Sequence, residues 1–408
     1  HLAQALVASP GGAALTFEAR WVSGKPRLIT QTWDRSFGGA VLVPIPSNLG
    51  TPGAANSRAL PAPPPQIASA IHSPAVPKTS DPVLITAQIS SAVPLTSVVV
   101  MHWTDNINND GVYSPATMTD DGTGSDALAG DGIYTAQITS HQVNGRVVQF
   151  YVSATANNGQ VTTYPKAGSD APAMWIVDNQ NLPTDLRRFR IIVSQYWSDS
   201  LTPNGATDKF NYSFPRLSNQ YVPCVMIHNE SEIYYSSGVR RSGSPFTRYH
   251  GTDLNQVLGR AKVRVAPDPL FRGQERIYYD NDSGTSLHNN RLMRYWLYLL
   301  GVPGNENEFI RVIRNTTNLN VKENSEHFAK EMLNRIWPEG SDGQFYEIDD
   351  THSIADDGGT RMSSVDGSWR YNGENPTTYM NSWIPKSKEV DFDYSGLIDW
   401  NRQLTQLA

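Results

Sequence analysis

A tract rich in proline, alanine and serine limits most strongly how this chain can fold. It occupies residues 44–82. Because proline fixes φ and lacks a backbone N–H donor, such a tract favours an extended connector over an element of a packed core. We therefore predict a linker at residues 58–82, with separate modules on either side of it.

The segment before this linker contains three short runs of strand-like composition, at residues 15–20, 27–33 and 39–44. Three strands are too few for a complete β-sandwich. Residues 1–57 are therefore predicted to be a partial β module, or an N-terminal arm wrapped on another part of the protein.

Residues 83–178 are predicted to fold as an immunoglobulin-like β-sandwich. The runs VLITAQIS and SVVVMHW alternate apolar and polar residues with the period of two that is typical of strands. Asn158-Gly159 separates two further alternating runs, and this dipeptide favours a type I′ hairpin turn, in which both central residues have positive φ. Short strands with turns every ~8–12 residues are typical of this sandwich. A second linker is predicted at residues 179–187.

Residues 188–408 combine strand-like and helical patterns. Strand-like runs come first, and a helix is predicted at about residues 287–300, ended by Gly301 and Pro303. The apolar positions of this helix form one stripe: Leu292, Met293, Trp296, Leu297 and Leu300. The runs FIRVIR and LNVKE predict a strand pair, and a second helix is predicted to start at an Asn324 cap. A run of strands followed by a helix, and then a strand pair followed by a second helix, predict an α+β domain.

Composition and charge exclude several classes of function. The 408 residues carry a net charge of −6, which gives no field for attracting nucleic acid or an anionic membrane. Cys224 is the single cysteine, so neither an intrachain disulfide nor a multi-cysteine metal centre can form. The sequence has no run of ~18 apolar residues and so predicts no membrane span. The chain begins at His1 without a leader pattern, which indicates a processed chain or a piece of a longer one.

Five ordered blocks in the last module resemble the CotH family, the spore-coat-protein-H-like proteins with an atypical kinase fold. The blocks are VRRSGSPFTR (239–248), PDPLFRG (267–273), NNRLMRYWLYLLGVPG (289–304), NVKENSEHFAKEMLNRIWPEGSDGQFYEIDD (320–350) and WRYNGENPTTYM (369–380). Two upstream strings extend the resemblance. MTDDGTGSDALAGDGIYTAQI (118–138) resembles the Ig-like domains that precede CotH modules, and GTPGAANS (50–57) is similar to the end of a lamin-tail-like domain.

The resemblance implies a secreted or cell-surface bacterial protein. It implies a kinase-like module that uses ATP with Mg²⁺ or Mn²⁺ to transfer phosphate to hydroxyls of a secreted or coat protein. Such chemistry needs a cradle for the triphosphate, bridging metals and a carboxylate that orients the attacking hydroxyl.

The resemblance also suggests which residues contact the nucleotide. The cradle consists of Arg241, Ser242, Gly243, Ser244 and Arg248. Glycine permits close backbone approach, and arginine and hydroxyl groups suit oxyanions. The alternative is a basic surface hairpin loop.

Two strand residues complete the expected nucleotide site. Lys262, which alternates with Arg264 on one face of a strand, resembles the family's basic residue facing the nucleotide. Glu323 stands where the family usually has a glutamate. The alternative for Lys262 is a solvated charge at a sheet edge. For Glu323 the alternatives are an exposed strand end or a residue that acts with Asn324 at the start of a helix.

The catalytic residues of the family have no counterpart among these positions. The family places its catalytic Asp and Asn and a metal-binding Asp downstream of the segment that resembles VDFDYSGLIDWNRQL, so the kinase-like domain is expected to be incomplete at its C-terminus. Asp391 and Asp393 are predicted instead to cap a helix. Whether the chain is an enzyme is therefore left open. The rival hypothesis is a non-catalytic structural or adhesive protein that assembles with other surface proteins.

A glycine-rich loop contributes the last candidate site. Asp120, Asp121, Asp126 and Asp131 are hard oxygen ligands at short spacing, which suits Ca²⁺. The spacing is not that of an EF-hand, and DDG and GDG also form ordinary turns. HExxH and GxSxG are both absent from the sequence, which argues against a zinc hydrolase and a serine hydrolase.

Overall fold

The structure is a computed structural model in which the chain divides into two compact units, residues 1–63 and 64–408. The residues that it describes are 3–8, 14–22, 25–28, 62–106, 108–141, 143–197, 221–242, 261–267, 269–280, 287–328, 330–340, 343–348, 351–352, 364–365, 369–380, 382–385 and 393–407.

In the first unit the described residues form one antiparallel sheet. Its strands are β1 (Ala3–Ala8), β2 (Ala14–Val22) and β3 (Lys25–Leu28), in that order. The predicted runs at 15–20 and 27–33 fall on β2 and partly on β3. The run at 39–44 lies outside the described residues.

The second unit begins with two antiparallel sheets that share one apolar core. One sheet holds β4 (Gln66–Ser73), β5 (Val83–Ser90) and β8 (Ile133–Ile138). The other holds β6 (Leu95–Thr104), β7 (Ser114–Thr117), β9 (Val147–Ala156), β10 (Val161–Tyr164) and β11 (Ala173–Ile176). Alternate residues such as Ile85 and Val152 are fully buried between the sheets, as the period-two pattern requires.

The expectation of a linker throughout residues 58–82 is wrong for strand β4. The prolines of this tract lie before Gln66 and after Ser73, and the proline-free run between them pairs with β5 along its length. Its alternate side chains Ala70 and His72 are buried in the sandwich. The high proline content of the tract therefore led to the prediction of a linker where the sandwich has a strand.

The hairpin at Asn158-Gly159 forms between β9 and β10, but its turn differs from the predicted type I′. Gly159 has a φ of +81°, whereas Asn158 does not have positive φ. Gly159 donates to the carbonyl of Ala156, and Ala156 donates to the carbonyl of Gln160. This is the pattern of a type I turn followed by a glycine bulge.

Seven strands of the remaining chain close into a barrel. They are β12 (Arg187–Ile192), β13 (Val222–His228), β14 (Glu232–Arg241), β15 (Ala261–Arg264), β16 (Arg276–Asp280), β17 (Asn307–Arg314) and β18 (Thr317–Glu326). The order around the barrel is β12-β13-β14-β15-β16-β18-β17, and the parallel pairing of β12 with β17 closes it. Phe189, Met226, Val263 and Ile310 fill the interior.

The sandwich and the barrel are packed together. Val225, Ile227 and Tyr235 on the outside of the barrel belong to the same buried cluster as the sandwich core. The backbone N–H of His72 donates to the Tyr235 hydroxyl at 3.0 Å, and the His72 Nδ1 atom also contacts that hydroxyl. Of residues 179–187, predicted as the second linker, 179–186 carry no regular secondary structure and are mostly exposed, whereas Arg187 begins β12.

The described residues include three α-helices: α1 (Leu287–Leu299), α2 (Lys330–Ile336) and α3 (Ser395–Leu407). The predicted bounds of α1 are confirmed, and Gly301, with a φ of +70°, ends it. Val302 donates to the Leu297 carbonyl and Gly301 to the Tyr298 carbonyl, which is a Schellman motif. Asn324 does not cap α2, because β18 continues to Glu326 and Asn324 pairs there with Tyr279 of β16.

The C-terminal segment adds a small third core around α3. Its short strands are β19 (Tyr346–Ile348), β20 (Thr351–His352), β21 (Ser364–Val365) and β22 (Trp383–Pro385). Tyr379, Trp383 and Tyr394 are buried there. Asp393 accepts from the backbone N–H of Ser395 at the start of α3, as predicted for a cap, and Asp391 lies outside the described residues. No helix among the described residues is long and apolar enough to cross a membrane.

Candidate functional site

The outer wall of the barrel carries the basic strand residue Lys262. Its neighbours Ala261 and Val263 on β15 point into the barrel core, so Lys262 and Arg264 both face outward, as the alternation predicted. Lys262 pairs across the sheet with Arg240 of β14 on one side and with Tyr278 of β16 on the other. The Nζ atom of Lys262 lies 5.9 Å from the centre of the Tyr278 ring.

A second pair of cations lies one step along the same strands. Arg264 and Arg276 are directly opposite each other on β15 and β16. Like charges at such positions destabilise a sheet. Glu275 relieves part of this repulsion, since its carboxylate accepts from the Nε atom of Arg264 at 2.6 Å and lies 4.0 Å from the Nη2 atom of Arg276. We call Arg240, Lys262, Arg264 and Arg276 the cationic wall.

His327 is held beside the cationic wall. Its Nε2 atom lies 3.4 Å from the Nζ atom of Lys262, and its Nδ1 atom contacts the Phe328 carbonyl. Burial lowers the pKa of His327 to about 4, with further lowering from the nearby charges of Lys262 and Arg276. His327 is therefore neutral near pH 7.

Glu323 lies on the same outer face, on β18, but it is not the exposed strand end of the alternative reading. It is buried, and it pairs with the Nη1 atom of Arg294 on α1. The side-chain amide of Asn307 also donates to Glu323 Oε1, at 2.7 Å. Glu323 thus connects helix α1 to the barrel beside the cationic wall.

The predicted phosphate cradle is only partly described. Arg241 ends β14 and pairs with Ala261 through the backbone. Ser242 follows it and is buried, and its Oγ atom has no hydrogen-bond partner. Gly243, Ser244 and Arg248 lie outside the described residues.

The acidic loop between β7 and β8 brings three of its four predicted residues together. One carboxylate oxygen from each of Asp120, Asp126 and Asp131 lies within 4.8 Å of the others. Asp121 is directed away, since its Oδ1 atom accepts from the backbone and the hydroxyl of Thr123. These hydrogen bonds lower the pKa of Asp121.

Backbone N–H groups shape this acidic cluster. Asp120 accepts from Gly130 at 2.6 Å and from Gly132 at 3.0 Å, and Asp126 accepts from Gly122 at 2.6 Å. The glycines Gly122, Gly130 and Gly132 all have positive φ, which allows the loop to fold back on its own carboxylates. The arrangement supplies hard oxygen ligands for a divalent cation and is also a well-bonded turn.

Four residues at this site were not predicted from the sequence: Arg240, Arg276, Arg294 and His327. Arg240 and Arg276 alternate with buried residues of their strands, a signal that was available in VRR and ERIYYD. The pairing of strands in the barrel places β14 and β16 beside β15. The local sequence pattern does not predict this pairing. The contact of Arg294 with Glu323 likewise depends on where α1 docks.

Comparison with known proteins identifies no family for this chain. No family model matches the sequence, and no curated protein matches it. The residues and their geometry are therefore the basis for inferring its function.

Proposed function

We propose that the barrel is the nucleotide-binding part of a CotH-like atypical kinase module, and that the cationic wall contacts the phosphates of ATP. The observation that carries this proposal is the grouping of four cations on three adjacent strands, with Arg264 directly opposite Arg276 and a neutral His327 beside Lys262. A bound polyanion would relieve the repulsion between these cations. Arginine and lysine are also the residues that proteins use to bind phosphate.

The residues of the wall fit phosphate groups but do not by themselves fit Mg²⁺ or Mn²⁺. Glu323 is engaged with Arg294, and Asp280 accepts from the Tyr278 hydroxyl at 2.7 Å. Among the described residues, the one group of three acidic ligands lies in the sandwich loop. These residues therefore support the binding of phosphate groups, and no step of phosphoryl transfer is assigned to them.

Nucleotide binding is tested by titrating ATP, with and without Mg²⁺, into the 408-residue chain in a calorimeter. Lys262→Ala is expected to weaken binding about 10-fold or more, because a hydrogen bond to a charged group contributes ~1.5–3 kcal/mol. Added salt should weaken binding as well. Lys166→Ala, which removes an exposed lysine from the sandwich, is the matched control and should bind as the parent does. Absence of binding at millimolar ATP, or equal binding by both variants, contradicts the proposal.

The rival function is a non-catalytic structural or adhesive protein of the bacterial surface, secreted and built from β modules. It is favoured by the shared core of the sandwich and the barrel, which makes residues 64–408 one compact unit. In this proposal the sandwich is Ig-like and residues 1–57 are the end of a lamin-tail-like module. The ATP titration separates the two functions, because the structural role requires no nucleotide.

We also propose that the acidic loop binds Ca²⁺ through Asp120, Asp126 and Asp131. A ligand that binds the native state raises its stability by mass action, by ~2.7 kcal/mol at 100 times Kd. Millimolar Ca²⁺ should therefore raise the melting temperature relative to a chelator, and Asp126→Asn should abolish the rise. Asp121→Asn changes the same loop outside the cluster and should leave the rise intact. An identical melting temperature with Ca²⁺ and with chelator would show that the loop is only a turn.

A further inference from the structure

Helix α1 presents its apolar side chains to solvent and its charged side chains to the barrel. Arg294 pairs with buried Glu323, and the guanidinium of Arg291 lies 4.9 Å from the centre of the Phe309 ring. These two contacts hold the inner face of the helix on β17 and β18. The apolar stripe identified in the sequence is therefore exposed, apart from the part-buried Leu297.

The outer face of α1 is continuous and large. It consists of Leu292, Met293, Tyr295, Trp296, Leu299 and Leu300, whose exposed fractions lie between 54% and 74%. Their spacing of three and four residues places them along one side of the helix. Scattered apolar residues are normal on a surface, but a contiguous apolar patch of this kind marks an interaction site.

We infer that this face of α1 packs against the same face of a second copy of this chain in a two-fold symmetric dimer. The first argument is area. An aromatic side chain offers roughly 200 Å² and an aliphatic one roughly 100 Å², so these two aromatic and four aliphatic residues, about three-fifths exposed, present about 500 Å². A specific interface buries at least about 1,000 Å² in total, or about 500 Å² per partner. Tyr298 lies on the stripe of Arg291 and Arg294 and is nevertheless 76% exposed, and Val302, just after the helix, is 45% exposed.

The second argument is charge. A two-fold interface places each patch opposite itself, so any net charge on the patch would face its own copy and repel it. Among the side chains of α1 that the structure describes, the outer face contains no ionisable group except the Tyr295 phenol, and both arginines are engaged with the barrel. An acidic or basic partner would find no complementary charge here, whereas an identical uncharged face meets no repulsion.

The geometry of the pair follows from the length of the helix. Thirteen residues span about 20 Å, and two such helices can pair along their full length with side chains at spacings of three and four interlocking. The cationic wall faces outward from β14 to β16, and α1 docks on the neighbouring strands β17 and β18. The two surfaces are therefore adjacent but consist of different residues.

The test is the mass of the 408-residue chain in solution, measured by sedimentation velocity from about 1 to 200 μM. The expected result is a species of twice 45.1 kDa that dissociates on dilution. Trp296→Glu places like charges across the two-fold axis and should raise the dimer Kd about 100-fold or more. Val161→Glu, at a 55%-exposed valine of the sandwich, is the matched control and should leave the dimer unchanged.

A cross-linking experiment identifies the face that is used. Met293→Cys should form an intermolecular disulfide under mild oxidation, and Leu128→Cys, at an exposed leucine of the acidic loop, should not at the same concentration. The native Cys224 is buried and does not compete. A monomer at every concentration overturns the inference. So does a monomer that binds phospholipid vesicles, which would assign the face to a membrane surface, and so does a dimer that Trp296→Glu leaves intact.

Discussion

Replacing Arg190 is expected to be among the most destabilising single changes in the protein. Arg190 lies on β12 and is 1% exposed. Its Nη1 atom donates to Asp178 at 2.9 Å and to the Asn315 carbonyl at 2.5 Å. Its Nε and Nη2 atoms donate to the two oxygens of Glu230, at 3.1 and 2.9 Å. One guanidinium thus joins the end of the sandwich, the β13–β14 turn and the β17–β18 turn.

The magnitude follows from what the substitution leaves behind. In Arg190→Met, Asp178 remains buried as an uncompensated carboxylate, because it is only 2% exposed. Removing one partner of a buried ion pair typically costs ~3–5 kcal/mol, most of it the penalty for the charge left unpaired. Removing Asp178 as well, as Asn in the double variant, should recover part of the loss. The two effects are therefore expected to be non-additive.

The measurement is urea unfolding followed by the fluorescence of the tryptophans, of which Trp175 is buried in the sandwich core. Arg190→Met should lower the free energy of unfolding by ~3–5 kcal/mol. Arg402→Met, which removes a more exposed arginine paired with Glu374 near the C-terminus, is the control and should change it far less. A loss below ~1 kcal/mol for Arg190→Met, or strict additivity with Asp178→Asn, would refute the reasoning.

Two further predictions concern the contact between the sandwich and the barrel. Tyr235→Phe removes the hydroxyl that accepts from the backbone N–H of His72 and contacts its Nδ1 atom. Because buried polar groups are then left unsatisfied, the free energy of unfolding in urea should fall by ~1–3 kcal/mol. Tyr134→Phe, at a part-buried tyrosine of the sandwich, is the control and should lower it less. Burial lowers the pKa of His72 from 6.5 to about 4. Between pH 6.5 and pH 4 the unfolded chain therefore binds a proton at this histidine that the folded chain does not bind. The contribution of neutral His72 to the free energy of unfolding should therefore be fully present above pH 6.5 and should decrease as the pH falls towards 4. His72→Gln should make the free energy of unfolding less dependent on pH in this range. An equal pH dependence in the variant would assign the effect to other groups.

Local patterns in the sequence predicted much of the secondary structure. The bounds of α1 followed from its length and from the glycine that ends it, and the β17–β18 pair followed from two adjacent alternating runs. The strand β4 was missed because the prolines on both sides dominated its tract. The face by which α1 packs could not be predicted, because it depends on the single partners Glu323 and Phe309 rather than on the average polarity of the helix.

Only those features of the candidate site that lie within a single strand or loop could be predicted from the sequence. Alternation placed Lys262 and Arg264 on one face, and the loop spacing suggested the acidic cluster. The opposition of Arg264 and Arg276 requires the register of β15 against β16, and the proximity of His327 requires the fold beyond β18. Contacts of this kind join distant parts of the chain, and a single sequence does not specify them locally.

The parallel pairing that closes the barrel has a consequence for biosynthesis. β12 pairs with β17, more than a hundred residues later in the chain, whereas most other strands pair with near neighbours in sequence. Closing so long a loop costs entropy before the contact is gained, so this step should be late and slow. As the chain leaves the ribosome, the sandwich can complete its own sheets first. The barrel, by contrast, cannot close until β17 has been synthesised, and until then one edge of β12 is unpaired. An unpaired strand edge favours aggregation, so the risk of aggregation should be greatest during this interval.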